Sequence, residues 1–249
     1  MKTRCLKLIA AVLFCWITMG IQAQTTSESI GKDQIPLQPD FSAKWSLGIK
    51  LGASWTSISQ SNWGRIDETY TSLYGGDIGV SARYAFTDWF ALRADLSTMT
   101  RSYRMDRNLN YLDPVYTNHI NRFVMLPIMA DFSFGGKQLQ GHAYCGGYGS
   151  YWWWESRDGR TYWMTDYYVY FENFDEDRKF NSEDQRFIGG VVGGFGVSYT
   201  LRSLSKKDIV SLDVLYYYDL VSHHKSYSHL SDPRYLNTLT VTIGWAFCF

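Results

Sequence analysis

The stretch Leu236–Phe249, LNTLTVTIGWAFCF, alternates with a period of two. On an extended chain Leu239, Val241, Ile243, Trp245, Phe247 and Phe249 point one way, and Thr238, Thr240, Thr242, Gly244, Ala246 and Cys248 the other. This is a β-strand with two chemically different faces. Its apolar face needs a second protein layer or a lipid bilayer. Lipid is a physical option because a tilted strand of about 9–11 residues spans the hydrocarbon of a membrane.

The same alternation recurs upstream. One face collects Trp45, Leu47, Ile49, Leu51, Ala53 and Trp55, then Ile78, Val80, Ala82, Tyr84 and Phe86, then Phe90, Leu92, Ala94 and Leu96. Further segments run over Val124–Phe134, Leu139–Tyr151, Phe187–Leu201 and Val210–Leu220, the fifth weakened by its glycines. With the last strand this makes eight. Connections after strands 2, 4 and 6 are short, whereas those after strands 1, 3, 5 and 7 are long. That asymmetry predicts an all-β, antiparallel, up-and-down eight-stranded transmembrane barrel with short periplasmic turns and long outer loops. Trp45, Trp55, Trp89, Tyr151 and Trp245 fall near strand ends, where interfacial aromatic belts form, and the chain is 17% aromatic. Pro127 lies inside the fourth strand and removes a ladder hydrogen bond, so a local bulge is expected there.

Residues 1–23 carry Lys2, Arg4 and Lys7, an apolar run from Leu8 to Met19, and Ile21-Gln22-Ala23 before Gln24. This is the pattern of a cleaved secretory signal peptide, since the apolar run is shorter than the ~20 residues of a spanning helix. Cys15 follows Phe14, too large for the position before a lipidated cysteine. Residues 24–43, with Pro36 and Pro39, read as a periplasmic lead-in, and 44–249 as the barrel. Removing the signal takes three of the 24 basic residues and none of the 24 acidic ones, leaving 21 against 24. The balance excludes nucleic acid as a partner. The slightly negative mean hydropathy does not exclude a barrel, because only alternate residues face lipid. Cys145 and Cys248 are the cysteines left, and parity puts them on opposite faces, so no disulfide between them is expected.

Several patches resemble the PorT-like outer-membrane β-barrel family of Bacteroidetes. They are Leu126-Pro127-Ile128 with Phe132-Ser133-Phe134, Gly146-Gly147-Tyr148-Gly149, Gly189-Gly190 with Gly193-Gly194-Phe195-Gly196, and the closing Thr240, Gly244-Trp245 and Phe247. The resemblance spans roughly Trp45 to Phe249 and implies a multi-pass outer-membrane location. A final aromatic such as Phe249 likewise resembles the signal by which outer-membrane barrels reach their insertion machinery. One family role is as an accessory of a protein-secretion apparatus, but no residue here carries that role over.

Lys50, Asp77, Arg83, Arg93, Asp95, Asp131, Asp213 and Asp219 take the inward phase. Eight strands enclose a space that side chains fill, so these charges are expected to form an ion-pair plug, not a pore. Gly190, Gly194 and Gly196 leave local space beside Tyr or Arg side chains, or let strands approach closely. The long connection 152–186 is expected to project as an extracellular hairpin between strands 5 and 6, with its acidic run near or just after the tip. Its Trp152, Trp153, Trp154, Tyr162, Trp163, Tyr167 and Tyr168 form a candidate binding surface for a glycan or protein, or an anchor in outer-membrane lipid. Asp175, Asp177 and Glu183 do not make a calcium loop, because Phe180 stands where the loop needs Gly. No metal, cofactor or catalytic residue is assigned. The main alternative function is a lipid or glycan hydrolase at the outer rim using His223 or His224, with His229 and neighbouring serines. Nothing resembles a G-x-S-x-G nucleophile turn. A soluble lipocalin-like carrier would instead put Lys50, Arg93 and Asp213 outside.

Overall fold

The computed structural model describes residues 44–60, 68–107, 115–136, 138–164, 168–181, 184–202, 207–223 and 234–249. The expected signal peptide, the lead-in, Tyr167, Glu183, His224 and His229 lie outside the described residues. The strands, in chain order, are β1 (Trp45–Gln60), β2 (Glu68–Ser72), β3 (Tyr74–Ala85), β4 (Phe90–Arg107) and β5 (Val115–Gly135). They continue with β6 (Leu139–Met164), β7 (Val169–Asp177), β8 (Phe187–Arg202), β9 (Lys207–Asp219) and β10 (Arg234–Cys248).

Eight of these close a ring of antiparallel neighbours: β1, β3, β4, β5, β6, β8, β9 and β10, with β10 returning to β1. The stretch read first is the closing strand, pairing from Ser46↔Cys248 to Gln60↔Arg234 on β1. Two short strands extend the ring at one end, β2 against the far end of β4 and β7 against the far end of β6. Closure leaves the ring without an unpaired edge.

The faces fall as the alternation requires. Leu47, Ile49, Leu51, Ile78, Val80, Leu126, Ile128, Phe195, Leu212 and Ile243 are exposed on the outside, and Lys50, Asp77, Arg93, Asp95, Asp131, Asp213 and Asp219 are buried inside. A soluble carrier needs the reverse. Cys145 is exposed outside and Cys248 lies level with the buried Ser46. An aromatic band rings each end, with Trp45 and Tyr84 at 4.7 Å at the turn end and Tyr151 and Phe187 at 4.9 Å at the other.

Two expectations change. Pro127 brings no bulge: it pairs with Tyr148 in register, and on the β4 side Ala94↔Ile128 and Ser97↔Met125 keep the same register across it. The ladder simply omits the positions opposite Asp95 and Leu96, where a proline has no N–H to give. The irregularity of this sheet lies instead at Arg122/Phe123, where Phe123 faces Trp152 and Arg122 faces Trp154, leaving Trp153 as the extra residue. The hairpin also differs. β6 and β7 form it, not β6 and β8, and β6 runs on to Met164. The acidic run ends β7 at its base, where Asp177 pairs with Ser156, far from the tip. The aromatic periodicity of 162–174 belongs to both strands of this hairpin, which is why it reads as one element in sequence.

Candidate functional site

Inward parity brings the charges into tiers along the barrel axis. At the turn end, Arg83 Nε donates to Asp131 at 2.6 Å and Arg83 also donates to Ser133. His142 Nδ1 lies 2.8 Å from the other Asp131 oxygen, while its Nε2 faces Ser198 Oγ at 2.8 Å. In the middle, Lys50 bridges Asp77 and Asp95 at 3.1 and 3.2 Å. Arg93 joins Asp95 to Asp213 at 2.9 and 2.8 Å, and the Tyr144 hydroxyl donates to Asp213. Above them Asp219 accepts from Arg101, Tyr148, His223 and the Leu236 amide. Every lumen charge read from parity is in a partnered cluster. Desolvating a charge costs several kcal/mol, and these bidentate and shared contacts are what offset it.

Aromatic rings and glycines complete the fill. Arg101, with no exposed surface, lies over the Phe123 and Tyr148 rings at 5.1 and 5.6 Å. A Cβ on Gly196 would meet the Asp213 carboxylate and the Tyr144 hydroxyl, and one on Gly190 would meet the Tyr148 hydroxyl. The β8 glycines therefore admit the two tyrosines into the lumen. Among the described residues, one small cavity of about 20 Å³ is lined by Trp152 and His223 and another of about 60 Å³ by Arg83 and His142.

Arg101, His142, Tyr144, Tyr148 and a rim cluster complete this set beyond the charges read from the sequence. At the rim, Glu155 accepts from His119 at 3.0 Å, Arg157 at 2.6 Å and Arg178 at 3.0 Å, and Arg178 also binds Asp184 at 2.7 Å. Burial pushes the Glu155 carboxyl up, but the His119 hydrogen bond and the two guanidinium groups outweigh it and hold it at about 2. Extending the alternation past Ser97 would have found Arg101. Glu155 was hidden by the bulge, which reverses parity after Trp153.

The aromatic candidates do not form one surface. Trp152 is buried inside, packed on Phe123 at 6.0 Å and Phe180 at 4.9 Å. Trp153 and Trp154 sit outside at the bulge, where Arg122 lies over the Trp154 ring at 4.3 Å. In the hairpin, Tyr162 shares a face with Phe171 and Arg160, whereas Trp163 pairs with Tyr170 on the other. Trp163, Tyr168 and Tyr170 are all exposed, Tyr168 and Tyr170 lie 6.2 Å apart, and the Trp163 indole donates to Glu172 at 3.0 Å. These four make an open aromatic and acidic platform.

His223, the rim candidate for catalysis, is buried, spends Nε2 on Asp219 at 2.9 Å and is walled by Trp152 and Phe123. Among the described residues no group of three or more His, Cys, Asp or Glu is arranged to hold a metal.

The solved structure of OprG from Pseudomonas aeruginosa is similar over 83% of this chain and 97% of its own, with 11% identity and a TM-score of 0.47. Ail of Yersinia pestis matches over 82% and 99% with 12% identity and a TM-score of 0.34. Neisserial surface protein A matches over 82% and 97% with 16% identity and a TM-score of 0.39. No curated protein sequence matches. Residues 22–222 match the model of one family, and this match covers β1 to β9. The protein is thus an integral outer-membrane β-barrel, and its chain belongs to the outer membrane protein beta-barrel domain family.

Proposed function

We propose that this protein works through its extracellular surface as a binding or structural protein and that its lumen does not conduct. The tiered plug from Arg83 to Glu155 supports this reading, because no continuous aqueous path is compatible with ion pairs that share partners across the barrel. The working surface in this proposal is the Trp163, Tyr168, Tyr170 and Glu172 platform. Exposed rings stack on sugars or on protein hot spots, and a carboxylate accepts from hydroxyl or amide donors. Its partner is an extracellular glycan or protein. Binding of the detergent-purified protein to glycan and surface-protein arrays tests it: Trp163→Ala with Tyr170→Ala should abolish the signal, and retention of the signal would refute the platform.

A hydrolase is the second reading, and one observation favours it: Asp131, His142 and Ser198 are linked in series at 2.8 and 2.8 Å. This relay lies at the turn end of the lumen, not at the rim where a lipid would arrive. Strand amides there are engaged in the ladder, leaving no backbone pair to stabilise an oxyanion. We therefore propose no enzymatic role. Labelling of Ser198 by a fluorophosphonate probe, lost in His142→Ala, would reverse that.

Export by a cleaved signal peptide, insertion guided by the strand ending at Phe249, and membership of the PorT-like group of Bacteroidetes belong to the same proposal. The mature amino terminus at Gln24 is the expected mass-spectrometric result. A secretion-accessory role would require stable protein partners on affinity capture.

A further inference from the structure

The hairpin that rises from the ring leaves one strand with a neighbour on one side only. Among the described strands, β7 pairs with β6 alone, from Ser156↔Asp177 to Met164↔Val169. Antiparallel ladders alternate between residues that exchange hydrogen bonds with their partner and residues that turn their N–H and C=O the other way. One step beyond the Ser156↔Asp177 pair, the Arg178 amide donates to the Glu155 carbonyl opposite it at 3.0 Å. Counting back in twos from Arg178, Glu176, Phe174, Glu172 and Tyr170 spend their backbone groups on β6. Phe171, Asn173, Asp175 and Asp177 therefore present theirs along the open edge. The edge is nine residues long, a template for one more strand. β2, which also has one partner, offers five.

The chemistry of the edge selects that strand. Val169–Asp177 carries Glu172, Asp175, Glu176 and Asp177 and no lysine or arginine. Asp175, Glu176 and Asp177 are exposed, and among the described residues no cation sits on their carboxylates. Arg157, opposite Glu176, gives its Nε to Glu155, and Arg160, opposite Asn173, lies over the Phe171 ring at 4.3 Å. Asp175 stands directly across from Asp158, which accepts from the neutral Asn118 amide. Like charges opposed across a ladder destabilise it, so this corner of the sheet lacks a cation. A second copy of β7 would add to the repulsion, which opposes self-pairing along this edge.

We propose that the open edge of β7 captures an extended, lysine- or arginine-rich segment of a partner protein by antiparallel strand addition. The backbone groups of Phe171, Asn173, Asp175 and Asp177 hold its main chain, and its basic side chains meet Asp175, Asp177 and Asp158. Residues opposite Asp175 and Asp177 in such a pair point their own N–H groups at β7, so the basic residues are also the ones that donate. The site lies along the edge and at the base of the hairpin, whereas the aromatic platform lies toward the tip, and it stands if that platform binds nothing.

The test is fluorescence anisotropy of a labelled decapeptide of alternating lysine and threonine, titrated with the folded protein in neutral detergent. Saturable binding is expected, and the glutamate–threonine counterpart should not bind. N-methylation of the lysine amides should abolish binding, whereas N-methylation of the threonine amides should leave it within about twofold. These two peptides test the edge on the unaltered protein. Asp175→Asn with Asp177→Asn should weaken binding about tenfold, as expected for two exposed charge pairs. Asp106→Asn, whose carboxylate is held by Arg104, should change it less than about twofold. Asp175→Asn alone should also slow protease cleavage of the hairpin, because it removes the repulsion from Asp158. Faster cleavage would make these carboxylates structural and overturn the site. Heat-modifiable migration verifies folding of each variant. Equal binding of the glutamate peptide, unchanged affinity in the double variant, or the same effect from methylating either set of amides would overturn strand addition. Displacement by spermine at matching concentration would show that charge alone is read, and would overturn it likewise.

Discussion

Asp219 shows how much one side chain carries in a narrow barrel. Its two oxygens accept from Arg101, Tyr148, His223 and the Leu236 amide, joining β4, β6, β9 and β10. Asp219→Asn leaves the Arg101 cation buried without its counter-charge, and a loss of about 3–5 kcal/mol is expected in urea unfolding from detergent. Gly196→Ala forces a methyl against the Asp213 carboxylate and Tyr144, and about 1–3 kcal/mol should be lost in the same assay. Glu155 gives a pH signature. Its folded value of about 2 lies below the ordinary 4.5, so its stabilisation is complete above the unfolded value and is lost as pH falls from about 4.5 through about 2. Glu155→Gln should remove that slope from unfolding midpoints measured across the window, and an unchanged slope would show that other carboxylates carry it.

Strand β6 is where residue detail becomes element behaviour. Below Trp153 its even positions face inward; above it Glu155 and Gly159 do, because one extra residue shifts the phase. Deleting Trp153 would straighten the ladder and leave Trp154 opposite Arg122 and Glu155 opposite Asn121, still facing inward toward His119 and Arg178. The expected result is a rim segment 156–181 that proteases cut no faster than in the parent protein, with the ring below still heat-modifiable. Rapid cleavage of that segment would mean that the extra residue itself is needed to hold the rim cluster. The eight ring strands were legible because each is half apolar and half polar. The bulge was not, since Trp152-Trp153-Trp154 offers three equal rings and no sequence cue as to which is extra.

For the whole molecule, closure makes the lumen and the outside independent chemical spaces. The purified protein in planar bilayers is expected to show no regular conductance steps at neutral pH, whereas repeated steps would mean that the ion-pair tiers part. Strand phase, face, order and the mixed-sign lumen follow from the chain itself, because a period of two assigns each residue to lipid or interior before any partner is known. Partnership did not follow from it. That Arg93 links Asp95 to Asp213, that Asp131, His142 and Ser198 align, and that Glu155 gathers His119, Arg157 and Arg178 depend on strand register and closure. Register is set by the summed fit of all neighbouring strands around the ring, a non-local quantity that no single stretch of sequence contains.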